Sequence, residues 1–205
     1  MRKEALLVAT ALLVVSAAPV HAEGKNWFSF NGGYSMSKGP FKGHANNGIA
    51  FEADVRHMFV PQLGSGASVG YDDFQASDWI NSSVETVYGP GSTLVFTDWS
   101  YNAFVIGALP VGRLTTYGRW GVGVYNPKML IRSPLYGVGE HTGHDYGYMA
   151  GGGVNLRVTD RLGLGVDGTW HGYDDSIWGF NMSWWSSRVS VMYAIPGMND
   201  ALQAR

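Results

Sequence analysis

The sequence has no cysteine in its 205 residues, and only 15% of those residues are charged. Without cysteine, disulfides cannot stabilise the fold. The formal net charge of −2 shows neither the basic excess nor the charge runs that indicate a nucleic-acid partner. No segment after the first 22 residues approaches the roughly 20 apolar residues of a spanning helix, so membrane residence would require a β-barrel.

Residues 1–22 have the pattern of a secretory signal peptide. Arg2 and Lys3 form a basic start, residues 5–18 form an apolar run, and the segment ends in the small-residue pattern Val-His-Ala. The apolar run is too short for a spanning helix. We therefore expect an exported chain with one domain over residues 23–195 and a polar tail over residues 196–205.

Glycine and aromatic residues are abundant: 29 Gly, 8 Trp, 11 Tyr and 9 Phe. The glycines lie between aromatic and β-branched residues and do not form a low-complexity tract. That mixture suits strands with a tightly packed interior and aromatic side chains at membrane interfaces.

The segment Ile49–Phe59 alternates between an apolar and a charged face. Because successive strand residues point to opposite sides, Phe51 and Val55 share one face and Glu52, Asp54 and Arg56 share the other. A soluble sandwich would turn the apolar face inward. A membrane barrel would turn it towards lipid and the charges towards a polar lumen.

Seven further segments alternate in the same way, and their connections are long and short in turn. The predicted strands cover residues 26–37, 49–59, 65–74, 93–109, 116–125, 145–158, 162–171 and 182–195. The long connections, which we expect to be loops, cover residues 38–47, 75–92, 126–144 and 172–180. Alternation of short turns and long loops is typical of transmembrane barrels, and a soluble sandwich has no reason to sort its loops in this way. The sequence thus predicts an all-β protein, an eight-stranded antiparallel up-and-down transmembrane β-barrel.

Three stretches carry a resemblance to a known family. They are Arg113–Gly123, Gly151–Leu164 and Arg188–Ile195. They resemble strands five to eight of the small outer-membrane barrels of the outer-membrane protein A and opacity-protein type. That resemblance implies location in the outer membrane of a Gram-negative bacterium. In the family the chain commonly stops at an aromatic residue that closes the last strand, whereas here Ile195 is followed by a tail.

The residues on the polar faces predict a charged lumen. Acidic and arginine side chains nearly balance there, so we expect an ion-paired plug in preference to an open pore, since unpaired buried charges are costly. The predicted network consists of Glu52, Asp54, Arg56, Asp72, Asp98, Arg119, Arg157, Asp167 and Arg188.

His171 is a candidate for catalysis, and the pattern places it at the rim of the barrel. Lipid A deacylases are small outer-membrane barrels with a His and a Ser two residues apart, followed by Asn. Here Tyr173 and Asp174 stand at those positions and the nearest serine is Ser176. His171 and Ser176 are thus candidates only, because nothing in the spacing ensures the contact that a nucleophile and its base need.

The remaining candidates are a metal site and an aromatic belt. His141, His144 and Asp145 have a spacing that could hold a metal ion, although a solvated loop explains them better and we expect no cofactor. We assign six aromatic residues to the membrane interfaces: Trp99, Tyr101, Trp120, Trp170, Trp184 and Trp185.

The sequence therefore favours a structural or surface-interaction role, with a plugged lumen and four external loops. Expected partners are outer-membrane lipid, lipopolysaccharide and the barrel-assembly machinery, with the protein a monomer. A lipid-A-modifying or lipopolysaccharide-modifying enzyme and a narrow pore are the alternatives.

Overall fold

The computed structural model describes residues 25–174 and 181–195. Nine strands are present in these ranges. Their bounds are β1 Lys25–Lys38, β2 Ala45–Val60, β3 Leu63–Ala76, β4 Thr93–Val111, β5 Leu114–Ser133, β6 Gly137–Thr142, β7 Asp145–Arg157, β8 Leu162–Asp174 and β9 Asn181–Ile195. A short 3-10 helix spans Gly39–Gly43, and helix α1 spans Asp78–Tyr88. The predicted signal peptide, tail and Ser176 lie outside the described residues.

Eight of the strands form one closed antiparallel barrel. Each pairs with its neighbours in chain order, except that β5 pairs with β7, and β1 closes the barrel against β9. The closing register runs from Asn26 opposite Ile195 to Lys38 opposite Ser183. The predicted fold class is confirmed, with β6 an additional strand outside the barrel.

The connections divide the barrel into two ends. At one end, which we call the turn end, β2–β3, β4–β5 and β7–β8 are joined by two to four residues. β1 also begins and β9 also ends there. The opposite end, the loop end, carries the 3-10 helix, α1 and β6.

Besides the 3-10 helix within residues 38–47, two further predicted loops contain regular structure. Residues 75–92 include α1, which packs Ile80 and Val84 against the interior aromatic cluster at the loop end. Residues 126–144 form a hairpin in which β5 continues to Ser133 and pairs with β6. None of the described helices is both long and apolar enough to cross a bilayer.

The barrel is apolar on the outside and polar within. Eight representative apolar side chains are each between 42% and 57% exposed: Phe28, Phe30, Phe51, Val55, Trp99, Tyr101, Trp120 and Val122. Charged side chains from β2, β5, β8 and β9 are buried inside. The face assignment made from the alternation of Ile49–Phe59 is therefore confirmed.

Candidate functional site

The interior of the barrel contains a cluster of six charged residues, which we call the lumen network. Its members are Glu52, Asp54, Arg56, Arg119, Asp167 and Arg188, and all of them are buried. β2 contributes three members at alternate positions, while β5, β8 and β9 contribute one each. Because alternate strand residues share a face, the two-residue spacing on β2 points all three of its charges inward.

Arg119 lies at the centre of the lumen network. Its Nη1 is 2.7 Å from Glu52 Oε1 and 4.0 Å from Asp54 Oδ2, and its Nη2 is 3.7 Å from Asp167 Oδ1. Nη2 also donates a hydrogen bond to Thr169 Oγ1 at 2.8 Å. One guanidinium from β5 thus connects acids from opposite sides of the barrel.

Arg188 joins the same acids from β9. Its Nη1 lies 3.0 Å from Glu52 Oε2, and its Nη2 lies 3.0 Å from Asp167 Oδ1. Its Nη2 also donates to Thr169 Oγ1 at 2.7 Å. Glu52 is therefore held by two arginines, one on each carboxylate oxygen.

Arg56 forms a local pair with Asp54 on the same strand. Its Nε and Nη2 donate to the two carboxylate oxygens of Asp54 at 2.6 Å and 2.9 Å. Asp54 also accepts hydrogen bonds from Ser29 and Asn31 on β1. This bidentate geometry is the strongest form of arginine–carboxylate pairing.

The network contains three acids and three arginines, so its formal charge is zero. Burying a charge is tolerated only when it is paired and hydrogen-bonded, and these six residues pair with one another. An eight-stranded barrel is just wide enough for side chains to fill it. The arrangement can therefore fill the lumen with a cluster that carries no net formal charge of its own.

Three residues predicted for this network stand apart from it. Arg157 is exposed at the turn end, and none of the ion pairs among residues 25–174 and 181–195 includes it, so its assignment to the ion-paired network is wrong. The physical reason is that β7 ends at Arg157, where the side chain reaches solvent. Asp72 is buried but hydrogen-bonded to Ser35 and Ser186, and Asp98 accepts from the Asn126 backbone at 3.0 Å.

His171 is inside the barrel and not at its rim, because its position on β8 has the same inward parity as Asp167 and Thr169. It is 1% exposed, its Nδ1 is 3.2 Å from Tyr125 Oη, and its ring stacks on Trp184 with centroids 5.0 Å apart. A molecule at the outer face of the barrel therefore cannot reach His171. The rim position predicted for it is wrong.

Two apolar clusters lie inside the barrel, and neither was predicted from the sequence. The cluster nearer the loop end includes Phe41, Phe74, Phe96, Tyr125, Tyr173 and Trp184. The cluster nearer the turn end consists of Phe104, Ile106, Tyr117 and Met149. The alternation contained the signal, since Phe74 shares its face with Asp72, and Phe96 shares its face with Asp98.

Trp184 belongs to the interior and not to an outer aromatic belt. It is 0% exposed, and it contacts Phe74, Tyr125 and Tyr173 edge-on. Its predicted place at a membrane interface is therefore wrong. The other five aromatic residues of that set are on outward positions of their strands, and their role as interface anchors remains a prediction.

The histidines of the β5–β6 hairpin region do not converge on a metal site. His141 is exposed, and His144 Nδ1 is hydrogen-bonded to Asn126 Oδ1. Asp145 is buried at the start of β7. Among the residues that the structure describes, no group of three or more His, Asp or Glu side chains is placed to hold an ion.

Comparison with known proteins identifies relatives by structure only. No protein-family model matches the sequence, and no curated protein matches it. Neisserial surface protein A superposes with a TM-score of 0.58 at 12% identity, over 83% of this chain and 97% of that one. Ail, the attachment invasion locus protein of Yersinia pestis, gives 0.57 at 14% identity over 84% and 99%.

A third similar structure is a major outer membrane protein of Thermus thermophilus. It gives a TM-score of 0.55 at 14% identity, over 84% of this chain and all of that one. At these identities the likeness concerns the fold. The chain has the closed eight-stranded barrel fold of small outer-membrane proteins.

Proposed function

We propose that this chain is an outer-membrane β-barrel with a non-enzymatic role, in which a neutral plug closes the lumen and the loop end meets the cell's surroundings. The observation that carries the proposal is the lumen network. Its six buried charges cancel inside a barrel whose outer face is apolar, which is the polarity of a membrane barrel and the reverse of a soluble one.

The loop end supplies the surface for interaction. The tip of the β5–β6 hairpin is linked to α1 by a hydrogen bond of 2.8 Å from Ser133 Oγ to the Tyr88 carbonyl oxygen. Four apolar side chains beside this link are 67–73% exposed: Val87, Leu135, Tyr136 and Val138. Exposed apolar patches often mark interaction sites. The structurally similar Ail has been solved in complex with the heparin analogue sucrose octasulfate.

The placement of the chain ends fits this orientation. β1 begins and β9 ends at the turn end, so both ends would lie in the periplasm after export by the N-terminal signal peptide. The partners would be outer-membrane lipid, lipopolysaccharide and the barrel-assembly machinery, and the barrel would act as a monomer. A lipid-A-modifying activity finds less support, since His171 is enclosed by aromatic side chains.

The experiment compares the full-length protein with a variant that lacks the exposed hairpin. Because Gly143 donates a backbone hydrogen bond of 2.9 Å to the Pro127 carbonyl oxygen, residues 128–142 can be replaced by Asn-Gly without separating β5 from β7. Both proteins are reconstituted in phosphatidylcholine vesicles, and their binding of lipopolysaccharide and of heparin is measured. We expect both proteins to insert into the vesicles. We expect the variant to bind lipopolysaccharide and heparin more weakly than the full-length protein does.

Mass spectrometry of lipid A, from cells with and without the protein, completes the test. We expect identical lipid A in the two samples. A mass change that depends on the protein would replace the proposal with an enzymatic function. Recovery of the mature protein as a soluble periplasmic species would overturn the membrane location itself.

A further inference from the structure

A cavity of about 600 Å³ opens at the turn end of the barrel, opposite the loop end. Its walls include the apolar side chains Met58, Ile106, Ala108 and Met192. The volume is within the range of about 300–1,000 Å³ that is typical of small-ligand sites. The lumen network lies on the loop-end side of the cavity, and the side chain of its member Arg56 borders the cavity.

Tyr117 forms part of the cavity wall beside the lumen network. Tyr117 lines the cavity, is only 7% exposed, and packs its ring against the Arg56 guanidinium at 4.9 Å. Its hydroxyl oxygen is itself buried, so the part of Tyr117 that contributes to the wall is the aromatic ring. The inner end of the cavity thus adds an aromatic ring to its aliphatic wall.

Two arginines border the same cavity. Arg113 and Arg157 are both exposed, and neither takes part in an ion pair within the described parts of the chain. They are held side by side, because the Arg157 backbone N–H donates to the Arg113 carbonyl oxygen at 2.8 Å. Their guanidinium groups are free to bind a carboxylate, for which the planar fork of arginine is well suited.

We propose that the turn-end cavity binds a single-chain carboxylate of the fatty-acid class. The carboxylate lies between Arg113 and Arg157, and the alkyl chain packs along Met58, Ile106 and Ala108. The combination of an apolar wall and unpaired cationic groups favours a ligand with both an alkyl chain and a negative charge. A ligand with only one of these properties would leave half of the site unsatisfied.

The absence of cysteine makes site-specific labelling a direct test. A cysteine is introduced at Ala108, which lines the cavity, and another variant carries Asp160→Cys, which is exposed in the β7–β8 turn and outside the cavity. The full chain is placed in phosphatidylcholine vesicles, so that the membrane carries no anionic lipid, and maleimide labelling is followed. At about ten times its Kd, laurate should slow labelling of Ala108→Cys roughly tenfold, because only the empty site reacts. Labelling of Asp160→Cys should not change.

Specificity is tested with dodecanol, acetate and two arginine variants. Dodecanol lacks the charge and acetate lacks the chain, so both should protect much less than laurate. Replacing Arg113 and Arg157 together by Gln should remove most of the laurate protection and leave the weak effect of dodecanol unchanged. Arg161→Gln removes a positive charge from the same end of the barrel, at a position that does not line the cavity. In this variant, laurate should slow labelling of Ala108→Cys as much as in the parent protein.

Three results would overturn the proposal. If laurate and dodecanol protect Ala108→Cys equally, the cavity binds alkyl chains without recognising a carboxylate. Full protection in the Arg113→Gln/Arg157→Gln variant would exclude the assigned head-group contacts. Ala108→Cys could also label slowly in the absence of ligand. If truncation after Ile195 then makes this labelling fast, the cavity is assigned to residues 196–205. All variants are exposed or small substitutions, and retention of the folded species on unheated gels confirms that each barrel has formed.

Discussion

At the scale of single residues, the lumen network depends on arginines that cannot be replaced one at a time. Arg119 contacts Glu52 at 2.7 Å and approaches two further acids, and its side chain is fully buried. Removing one partner of a buried ion pair leaves the other as an uncompensated charge. The cost is the desolvation of the remaining carboxylates, which have no access to water.

We expect Arg119→Ala to lower the free energy of unfolding by about 3–5 kcal/mol, which is the usual cost of breaking a buried pair. Arg157→Ala is the matched control, because it removes the same side chain from an exposed position without an ion pair among the described residues. It should change stability by less than about 0.5 kcal/mol. Urea unfolding in lipid vesicles, followed by tryptophan fluorescence, measures both. Equal stability of Arg119→Ala and the parent protein would refute the paired plug.

The Arg56–Asp54 pair allows a direct measurement of one interaction. In a double-mutant cycle with Arg56→Met and Asp54→Asn, we expect an interaction energy of about 2–3 kcal/mol, at the upper end for residues in contact. Lys128 and Glu140 form a pair at 2.8 Å in which both side chains are more than a third exposed. The same cycle there should give about 0.2–1 kcal/mol. Similar values for the two pairs would mean that burial does not strengthen the interior contacts.

The sequence contained most of the information about which residues point inward. The period of two placed Glu52, Asp54 and Arg56 correctly, and the same parity on β9 groups Trp184 with Arg188. Trp184 faces inward because its position on the strand, and not its aromatic character, determines the side of the barrel that it faces. Arg157 has the correct parity, but its depth depends on where β7 ends, and alternation does not encode depth along the barrel axis.

At the scale of elements, the structure differs from the prediction at the loop end. Helix α1 follows Ser77 and ends before Gly89, which has a φ of +91°. Serine before a helix and glycine after it are common boundary residues. Only Ile80 and Val84 of α1 pack against the interior cluster, so the helical period was too weak to recognise.

The β5–β6 hairpin was missed for a related reason. Its strand β6, Gly137–Thr142, is exposed on both faces. No buried face therefore imposes an apolar alternation on it. Its existence depends on hydrogen bonding to the extension of β5, from Lys128 opposite Thr142 to Ser133 opposite Gly137, and not on a sequence pattern.

The pairing between β1 and β9 depends on a close backbone contact at Gly33. A Cβ atom at this position would lie 2.0 Å from the Ser187 carbonyl oxygen and 2.7 Å from the Arg188 Cα, both of which are backbone atoms of β9. We expect Gly33→Val to prevent closure of the barrel. The folded species that migrates faster on unheated gels should then be lost.

Gly43→Val is the control for this prediction. Gly43 ends the 3-10 helix, and a Cβ built there has no atom within 4 Å apart from those of its two chain neighbours. This variant should keep the folded species and unfold at the same urea concentration as the parent. A Gly33→Val protein that folds normally would mean that β1 and β9 can separate locally without loss of the barrel.

At the scale of the whole molecule, three clusters of side chains fill the lumen. The aromatic cluster lies towards the loop end, and the second apolar cluster packs beside the lumen network, with the Arg119 guanidinium 5.4 Å from the Phe104 ring. An interior as narrow as that of an eight-stranded barrel leaves little space beside such side chains. A plug is therefore a property of the complete barrel and not of one residue.

We expect no stable ion conductance from the full-length protein in planar bilayers at neutral pH. A water-filled porin, incorporated in the same bilayer, shows that channels would be detected. Discrete conductance steps that scale with the amount of protein added would contradict the plug. They would favour the narrow pore that the polar faces of the strands also permit.

The closure of β1 on β9 has a consequence for chains that stop early. Arg188 comes from the last strand, whereas Glu52, the acid that it neutralises, comes from the second. A chain truncated before β9 would carry a surplus of negative charge at its centre and two open strand edges, so entering the bilayer would be unfavourable for it. The last strand thus supplies both the partner that closes β1 and the cation that completes the lumen network.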